Sequence, residues 1–127
     1  MSNLKNYFFT ENHEWIHFQE EETKIGITRY AVEELGDIVF VELPDPGEEI
    51  NQFEQFGVIE SVKAVSDVYA PAGGKIIEIN QKVIEQPELV NESPYDNGWL
   101  VKIKVNNEKE KENLMNNNEY SEFIEEE

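Results

Sequence analysis

The sequence contains no cysteine, and this absence excludes several kinds of chemistry. A chain without cysteine has no disulfide scaffold, no thiolate nucleophile and no cysteine-ligated zinc or iron–sulfur centre. The apolar runs are also far shorter than the roughly 20 residues that a membrane helix requires. Met1–Thr10 has neither an apolar signal core nor an Arg-rich transit pattern. We therefore expect a cytoplasmic protein that has no membrane partner.

Positive charge is scarce, and Arg29 is the single arginine. Lysine and arginine together number 10 against 28 aspartate and glutamate residues, which gives a formal net charge of −18. A field of this sign repels phosphate backbones and anionic lipid surfaces, so we expect no nucleic-acid partner. The same field favours partners with basic docking faces, or serves only to keep a small protein in solution. The sequence leaves both interpretations open.

The length and the hydropathy pattern predict one mainly β domain. At 127 residues and 39% hydrophobic composition, the chain is long enough to bury a single core. Period-two alternation and β-branched residues predict short strands, and the strand at Asp37–Leu43 is expected to be buried on both faces. The predicted strands are Glu14–Phe18, Lys24–Thr28, Asp37–Leu43, Phe56–Ser61, Val65–Ala70, Lys75–Asn80 and Trp99–Val105.

Helices are predicted at four places. Thr28 is a suitable N-cap for a short helix, and Gly36 suits its end. In the tail, an apolar stripe at i, i+3 and i+4, formed by Tyr120, Phe123 and Ile124, is expected to pack back on the β core. The predicted helices are Arg29–Leu35, one turn at Pro87–Val90, Glu108–Asn117 and Glu119–Glu126.

Lys63 stands at the tip of a predicted hairpin. Only Val62, Lys63 and Ala64 separate the strands predicted at Phe56–Ser61 and Val65–Ala70. A lysine at such an apex offers a modifying enzyme one primary amine on a rigid platform, and acylation would convert it into a long neutral arm. On spacing alone, an ordinary solvated lysine is the simpler interpretation, because lysines are common in turns.

Other chemistry-bearing patterns are weak. His13 and His17 are four residues apart, but in a strand this spacing holds them far from each other, and no cysteine or carboxylate cluster completes a ligand set. We therefore expect no metal site. The sequence also lacks a Ser-His-Asp order, a phosphate-binding loop and an evident general acid–base pair, so we expect no catalytic residues.

A series of motifs in order is more specific than one hairpin lysine. The motifs run from about residue 12 to residue 104, with looser agreement at residues 119–121. They are His13–Trp15, Gly26–Thr28, Leu35–Pro44, Gly57–Ala64, Ser66–Pro71, Gly74–Asn80, Pro87–Asn91, Ser93–Tyr95 and Gly98–Lys104. With these motifs the chain resembles lipoyl carriers, and it is most similar to the H-protein family of the glycine cleavage system.

The resemblance implies a fold and a domain. The fold is a barrel-sandwich hybrid of the lipoyl-domain type: two small antiparallel β-sheets, a modified lysine on an exposed hairpin and short C-terminal helices. The domain is a single lipoyl carrier over residues 1–127, with a core at about 12–105 and a helical tail at about 106–127.

The resemblance also implies a function in glycine catabolism and one-carbon metabolism. Lys63 would carry lipoate in amide linkage, installed by a lipoyl-attaching enzyme, and the protein itself would be a non-catalytic carrier. A PLP-dependent glycine decarboxylase would load an aminomethyl group onto lipoyl-Lys63, and an aminomethyltransferase would receive it. Dihydrolipoyl dehydrogenase would then reoxidise the arm by thiol–disulfide chemistry. A carrier that docks with several enzymes is expected to be a monomer.

Two further sets of site residues follow from the resemblance. Glu14 and Asp67, with Asn12 where many relatives have a hydroxyl residue, would line a cleft that holds the ammonium group of the loaded arm. Glu60 and Asp67, which flank Lys63, would be read by the lipoyl-attaching enzyme. The alternative is that these are ordinary surface acids among the 28.

Four other interpretations compete with this one. A biotin carrier has its lysine between two methionines, whereas Val62 and Ala64 flank Lys63 here. Dehydrogenase-type lipoyl domains have an acid before the lysine, so Val62 favours the glycine cleavage branch. A lipoyl relay, which supplies lipoate to other lipoyl domains, would need the same lysine and fold and stays open. A purely structural domain with an unmodified lysine is the fourth alternative.

Overall fold

The structure is a computed structural model that describes residues 6–19 and 22–126. Residues 1–5, 20, 21 and 127 belong to the expected domain but lie outside the described residues. The strands of the described part are β1 (Tyr7–Phe9), β2 (Glu14–His17), β3 (Thr23–Ile27), β4 (Ile38–Glu42), β5 (Glu49–Ile50), β6 (Gln55–Ser61), β7 (Val65–Tyr69), β8 (Gly74–Ile79) and β9 (Val101–Val105). Its helices are α1 (Arg29–Leu35), α2 (Gln81–Glu85), α3 (Glu88–Glu92), α4 (Asn117–Glu125) and a 3-10 helix (Glu108–Asn113).

The strands form two antiparallel sheets. The larger sheet has six strands in the order β1-β2-β3-β9-β8-β5, and the smaller has three in the order β4-β6-β7. Every neighbouring pair in both sheets is antiparallel. The prediction of a mainly β barrel-sandwich hybrid with short C-terminal helices is therefore confirmed.

The core lies between the two sheets. Ile16, Ile25 and Ile76 of the larger sheet and Ile59 and Val68 of the smaller belong to one buried cluster. Burial of an aliphatic side chain of this size contributes roughly 1.5–3 kcal/mol to folding. The core thus holds the small sheet, and the hairpin that it carries, in a defined position on the large one.

Strand β4 corrects one expectation. Ile38 and Val41 are buried, but Val39 and Phe40 are 53% and 46% exposed, so the prediction of burial on both faces is wrong. β4 is an edge strand of the small sheet, and its register with β6 shifts between Ile38 and Phe40. Only one face of this sheet contacts the core. A bulge between Ile38 and Phe40 turns the extra residue, Val39, outward.

Side-chain caps set the starts of α1 and α2. The Oγ1 of Thr28 accepts a hydrogen bond from the backbone of Ala31, and Gly36 ends α1 with a φ of 79°, as the sequence predicted. Helix α2, which was not predicted, begins at an Asn80 side chain that accepts from the backbone of Lys82. The sequence pattern places Asn80 at the end of a predicted strand, but asparagine is also a strong N-cap, and here it caps α2.

The tail packs on the β core as predicted, although its first helix differs. The segment from Glu108 is a 3-10 helix that ends at Asn113, and Met115 then exchanges backbone hydrogen bonds of 2.8 and 2.9 Å with Phe9. Helix α4 follows, and Tyr120 stacks on Phe9 with ring centroids 4.5 Å apart. The extended Met115 segment joins β1, so a continuous helix cannot form there.

Candidate functional site

Lys63 lies at the apex of the β6–β7 hairpin. The backbone N–H of Ser61 donates to the Ala64 carbonyl at 2.8 Å, which closes the turn. The Ser61 hydroxyl oxygen accepts from the backbone N–H groups of Lys63 and Ala64 at 3.2 and 3.1 Å. The backbone of Val62 donates to the Asp37 carbonyl at 3.0 Å. The side chains of Val62, Lys63 and Ala64 are exposed, so a rigid turn presents one amine to solvent.

The end of α1 lies beside this lysine. A Cβ placed on Gly36 would stand 3.6 Å from Lys63 Cε. The Asn91 side chain fixes this region, because its Nδ2 donates to the Gly36 carbonyl and its Oδ1 accepts from the backbone of Ile38, both at 2.9 Å. Sequence reasoning assigned no role to Asn91 or Ser61, although both lie inside quoted motifs.

Glu14 is buried and joins the two sheets. Its side chain is 1% exposed; one carboxylate oxygen accepts from the Thr10 hydroxyl and the other accepts from the backbone of Tyr69 at 2.9 Å. Burial raises the pKa of the Glu14 carboxyl to about 6, and the hydrogen bonds from Thr10 and Tyr69 oppose this rise. The carboxyl group is thus mainly ionised at neutral pH, and it becomes half protonated when the pH falls to about 6.

The other two expected cleft residues are exposed. Asp67 lies on β7 and accepts a hydrogen bond from Gln55 Nε2 at 3.1 Å. Asn12 lies in the turn between β1 and β2. Within residues 6–19 and 22–126, no hydrogen bond joins Asn12, Glu14 and Asp67 to one another; Glu14 instead contacts Tyr69, two residues beyond Asp67 on the same strand.

A cavity of about 540 Å³ adjoins Glu14. Thr10 and Tyr69, the two hydrogen-bond donors to the Glu14 carboxylate, both line it, and so does Asn12. Glu14 therefore lies behind the cavity wall, whereas Asn12 is part of the wall. Phe9, Phe53, Leu114 and Met115 add apolar surface. The cavity can accept a mainly apolar group with a polar or cationic end.

Phe53 has an unusual backbone conformation at this cavity. Its φ is 66°, a value that L-residues with large side chains rarely adopt, and its side chain is 49% exposed. The backbone N–H donates to the Ala70 carbonyl at 2.6 Å, which holds the conformation. Nothing in the sequence pattern around Phe53 indicated it.

Glu60 and Asp67 lie on one face of the small sheet. Glu60 is paired with Phe40 and Val65, and Asp67 is paired with Val58. Directly paired residues share a face, and residues two apart on a strand return to it. We call this surface the outer face, since Ile59 and Val68, which neighbour Glu60 and Asp67 along their strands, point into the core.

The two histidines lie apart and contact aromatic residues. His13 Nδ1 is 2.8 Å from the Tyr120 hydroxyl, which is also 2.8 Å from Thr28 Oγ1. His17 stacks on Tyr7 with ring centroids 4.2 Å apart. Among residues 6–19 and 22–126, no group of three or more His, Cys, Asp or Glu side chains could hold a metal ion.

Two facing antiparallel sheets with an exposed hairpin lysine define the lipoyl-domain-like class of barrel-sandwich hybrids. No helix in the described ranges is long and apolar enough to cross a membrane.

Comparisons with known proteins specify the family within this class. The family model described as "Glycine cleavage H-protein" matches residues 7–127. A glycine cleavage system H protein of Halothermothrix orenii is 54% identical over 96% of this chain and 95% of its own length. The one of Carboxydothermus hydrogenoformans is 49% identical over 97% and 95%. The crystal structure of a glycine cleavage system H protein from Mycobacterium marinum has a TM-score of 0.83 and 36% identity, covering 93% of this chain and 95% of that one.

The chain therefore belongs to the glycine cleavage H-protein family. As a member it is a carrier component of a multienzyme system and not a catalytic enzyme.

Proposed function

We propose that this protein is the lipoyl-carrying shuttle of a glycine cleavage system, with lipoate attached to Nζ of Lys63. One observation supports this most: Lys63 is exposed at the apex of a turn that Ser61 and Asp37 hold in place. In the part of the chain that the structure describes, no ion pair engages its Nζ. An acylating enzyme would thus find a solvent-exposed nucleophile on a fixed platform.

Attachment requires only the lysine amine from this chain. The neutral Nζ attacks the carboxyl carbon of an activated lipoyl group, and a C–N amide bond forms. The activating group leaves with its electron pair, and the nitrogen loses a proton. The product carries no charge at this position. Gly36, which has no side chain, leaves space beside the methylene groups of the arm.

The carrier role depends on tethering. When bound, lipoate supplies a disulfide that takes up an aminomethyl group and is regenerated by oxidation of the dithiol. The partners in this proposal are glycine decarboxylase, aminomethyltransferase and dihydrolipoyl dehydrogenase. The tether raises the local concentration of the reactive group at a docked active site to the order of millimolar. The rigid hairpin fixes the point from which the arm is presented.

We propose that Asp67, Asn12 and Glu14 stabilise the loaded arm in different ways. Asp67 is an exposed carboxylate on β7, the strand that leads from the lysine towards the cavity, and it can pair directly with an ammonium group. Asn12 offers an amide at the cavity wall. Glu14 acts from behind the wall, where its negative charge lowers the free energy of a nearby cation.

The proposal also includes the recognition residues, the domain bounds, the localisation and the oligomeric state. Glu60 and Asp67 mark the site for the lipoyl-attaching enzyme, and both lie on the outer face near Lys63. Residues 1–127 form one carrier domain, since the tail from about residue 106 packs on the core through Tyr120. The protein works as a cytoplasmic monomer.

Reconstitution tests the proposal. The lipoylated protein is added to glycine decarboxylase, and exchange of glycine carboxyl carbon with bicarbonate is measured. We expect exchange with the wild type and with Lys75→Arg, a matched change of an exposed lysine on β8, and none with Lys63→Arg. Exchange with Lys63→Arg would contradict the proposal. Transfer of lipoate to a dehydrogenase lipoyl domain, without exchange, would favour the relay function.

A further inference from the structure

Exposed apolar side chains lie on the hairpin that carries Lys63 and on the adjacent strand β4. The described residues include seven large hydrophobic side chains that are exposed, and four of them are in β4, in β7 or at the hairpin tip. These four are Val39, Phe40, Val62 and Val65, which are 53%, 46%, 67% and 68% exposed. Single exposed hydrophobic residues are normal, but a group around one reactive side chain indicates an interaction surface.

Strand register places part of this group in a single row. Phe40 on β4 is paired with Glu60 on β6, and Glu60 is paired with Val65 on β7. Side chains of directly paired residues stand next to each other on one face. The row therefore presents an aromatic ring, a carboxylate and a branched aliphatic group across the whole width of the sheet.

A second row on the same face is more acidic. Glu42, Val58 and Asp67 are paired in register, two residues along each strand from the first row. The outer face thus alternates apolar and acidic side chains. A partner that fits it has an apolar recess with lysine or arginine at its edge, because burying an unpaired carboxylate is costly. The formal charge of −18 would steer such a partner to this protein.

The position of the surface favours one partner. An enzyme that acylates Lys63 must place its reacting carbon in contact with Nζ, and it then covers the neighbouring Val62 and Val65. Enzymes that act at the far end of the arm are separated from these side chains by the length of the arm. Val62 and Val65 stand at the base of the arm, where only the acylating enzyme is obliged to bind.

We propose that Phe40 and Val65 on the acidic outer face of the small sheet, together with Val62 at the hairpin tip, form the docking surface for the enzyme that acylates Lys63. Phe40 is the main anchor, since it has the largest of the three side chains and aromatic residues are enriched at the cores of interfaces. The proposal rests on the proposed function and adds apolar anchors to the acidic markers Glu60 and Asp67.

Steady-state acylation kinetics test the proposal. The probe is a lipoate–protein ligase supplied with lipoate and ATP, and the variable substrate is the carrier protein in its unmodified form. The variants are Phe40→Ser and Val65→Ser. The matched control is Ile77→Ser, because Ile77 is 43% exposed but lies on β8 of the other sheet. Thermal unfolding of each variant shows whether the fold is retained.

We expect Phe40→Ser to raise KM for the carrier at least about fivefold, with kcat changed by less than about twofold, as loss of an anchor outside the reacting atoms predicts. Val65→Ser raises KM less, and Ile77→Ser leaves it unchanged. A KM for Phe40→Ser equal to that of Ile77→Ser would overturn the proposal. So would an unchanged KM for acylation with a raised KM for aminomethyl transfer, since the surface would then serve another partner. If the wild type itself stayed unmodified, the proposed function would fail as well.

Discussion

The carboxylate of Glu14 and the backbone N–H of Tyr69 form a hydrogen bond of 2.9 Å that joins the two sheets. Glu14 is on β2 of the six-stranded sheet, and Tyr69 ends β7, which leads back to Lys63. The same carboxylate accepts from Thr10. A buried acid thus connects the wall of the cavity to the hairpin that presents the lysine, and its ionisation affects both stability and the proposed cleft.

The first prediction concerns the pH dependence of stability. Because burial raises the pKa of Glu14 to about 6, its contribution to stability is fully present at low pH and is lost as pH rises through about 6. Relative to Glu14→Gln, which stays neutral, the wild type should lose about 2 kcal/mol of unfolding free energy between pH 4 and pH 7.5. Urea denaturation of both proteins at the two pH values measures this. The same pH dependence in both proteins would show that Glu14 titrates normally.

The second prediction concerns the cap of α4. The Asn116 side chain accepts from the backbone of Glu119, whose side chain accepts from the backbone of Asn116. Asn116→Ala removes half of this capping box and should lower the unfolding free energy by about 1 kcal/mol. Asn118→Ala, at an exposed position inside the helix, is the control and should cost nothing. Equal effects of the two changes would rule out the cap.

The third prediction tests the backbone of Phe53. A positive φ of 66° is strained for any residue with a Cβ, so Phe53→Ala keeps the strain and Phe53→Gly removes it. We expect the glycine variant to exceed the alanine variant in unfolding free energy by about 0.5–1 kcal/mol, measured by chemical denaturation. If the alanine variant were the more stable, the local conformation described above would be wrong.

The fourth prediction concerns protection of the loaded carrier. Asp67 is exposed, so its pairing with an ammonium group is partly screened by water. Asp67→Asn should therefore speed breakdown of the aminomethyl-loaded protein only modestly, by roughly two- to fivefold, as judged from released formaldehyde. Glu42→Gln, in the same register row, is the matched control and should have no effect. An equal rate for Asp67→Asn and wild type would remove Asp67 from the cleft.

Local patterns predicted the elements whose determinants are close in sequence. The Thr28 cap, the hairpin around Lys63 and the stripe through Tyr120 each depend on residues a few positions apart, and the structure has all three. The pairing of β3 with β9 joins residues that are 76 to 80 positions apart, and it is set by packing of the whole core. Strand β5 has only two residues, which is too short to show an alternation of apolar and polar side chains, so it could not be predicted.

The candidate site likewise has features set by neighbouring residues, which could be predicted, and features set by distant residues, which could not. Lys63 could be singled out because a turn lysine and its flanking motifs are contiguous. The environment of Glu14 could not, since its burial depends on Thr10 and on Tyr69, which comes from the other sheet. The role of Asn91 in holding Gly36 and Ile38 is equally non-local. Exposure of Phe40 was also missed, because the composition of β4 does not tell which face is covered.

The most direct test of the central claim is the intact mass of the protein after incubation with lipoate, ATP and a lipoate-attaching enzyme, followed by peptide mapping. A separate lipoyl domain in the same mixture shows that the enzyme is active. The account predicts one lipoyl adduct on the peptide that contains Lys63, and none on Lys63→Arg. An unmodified protein beside a fully modified lipoyl domain, or an adduct on another lysine, would contradict it.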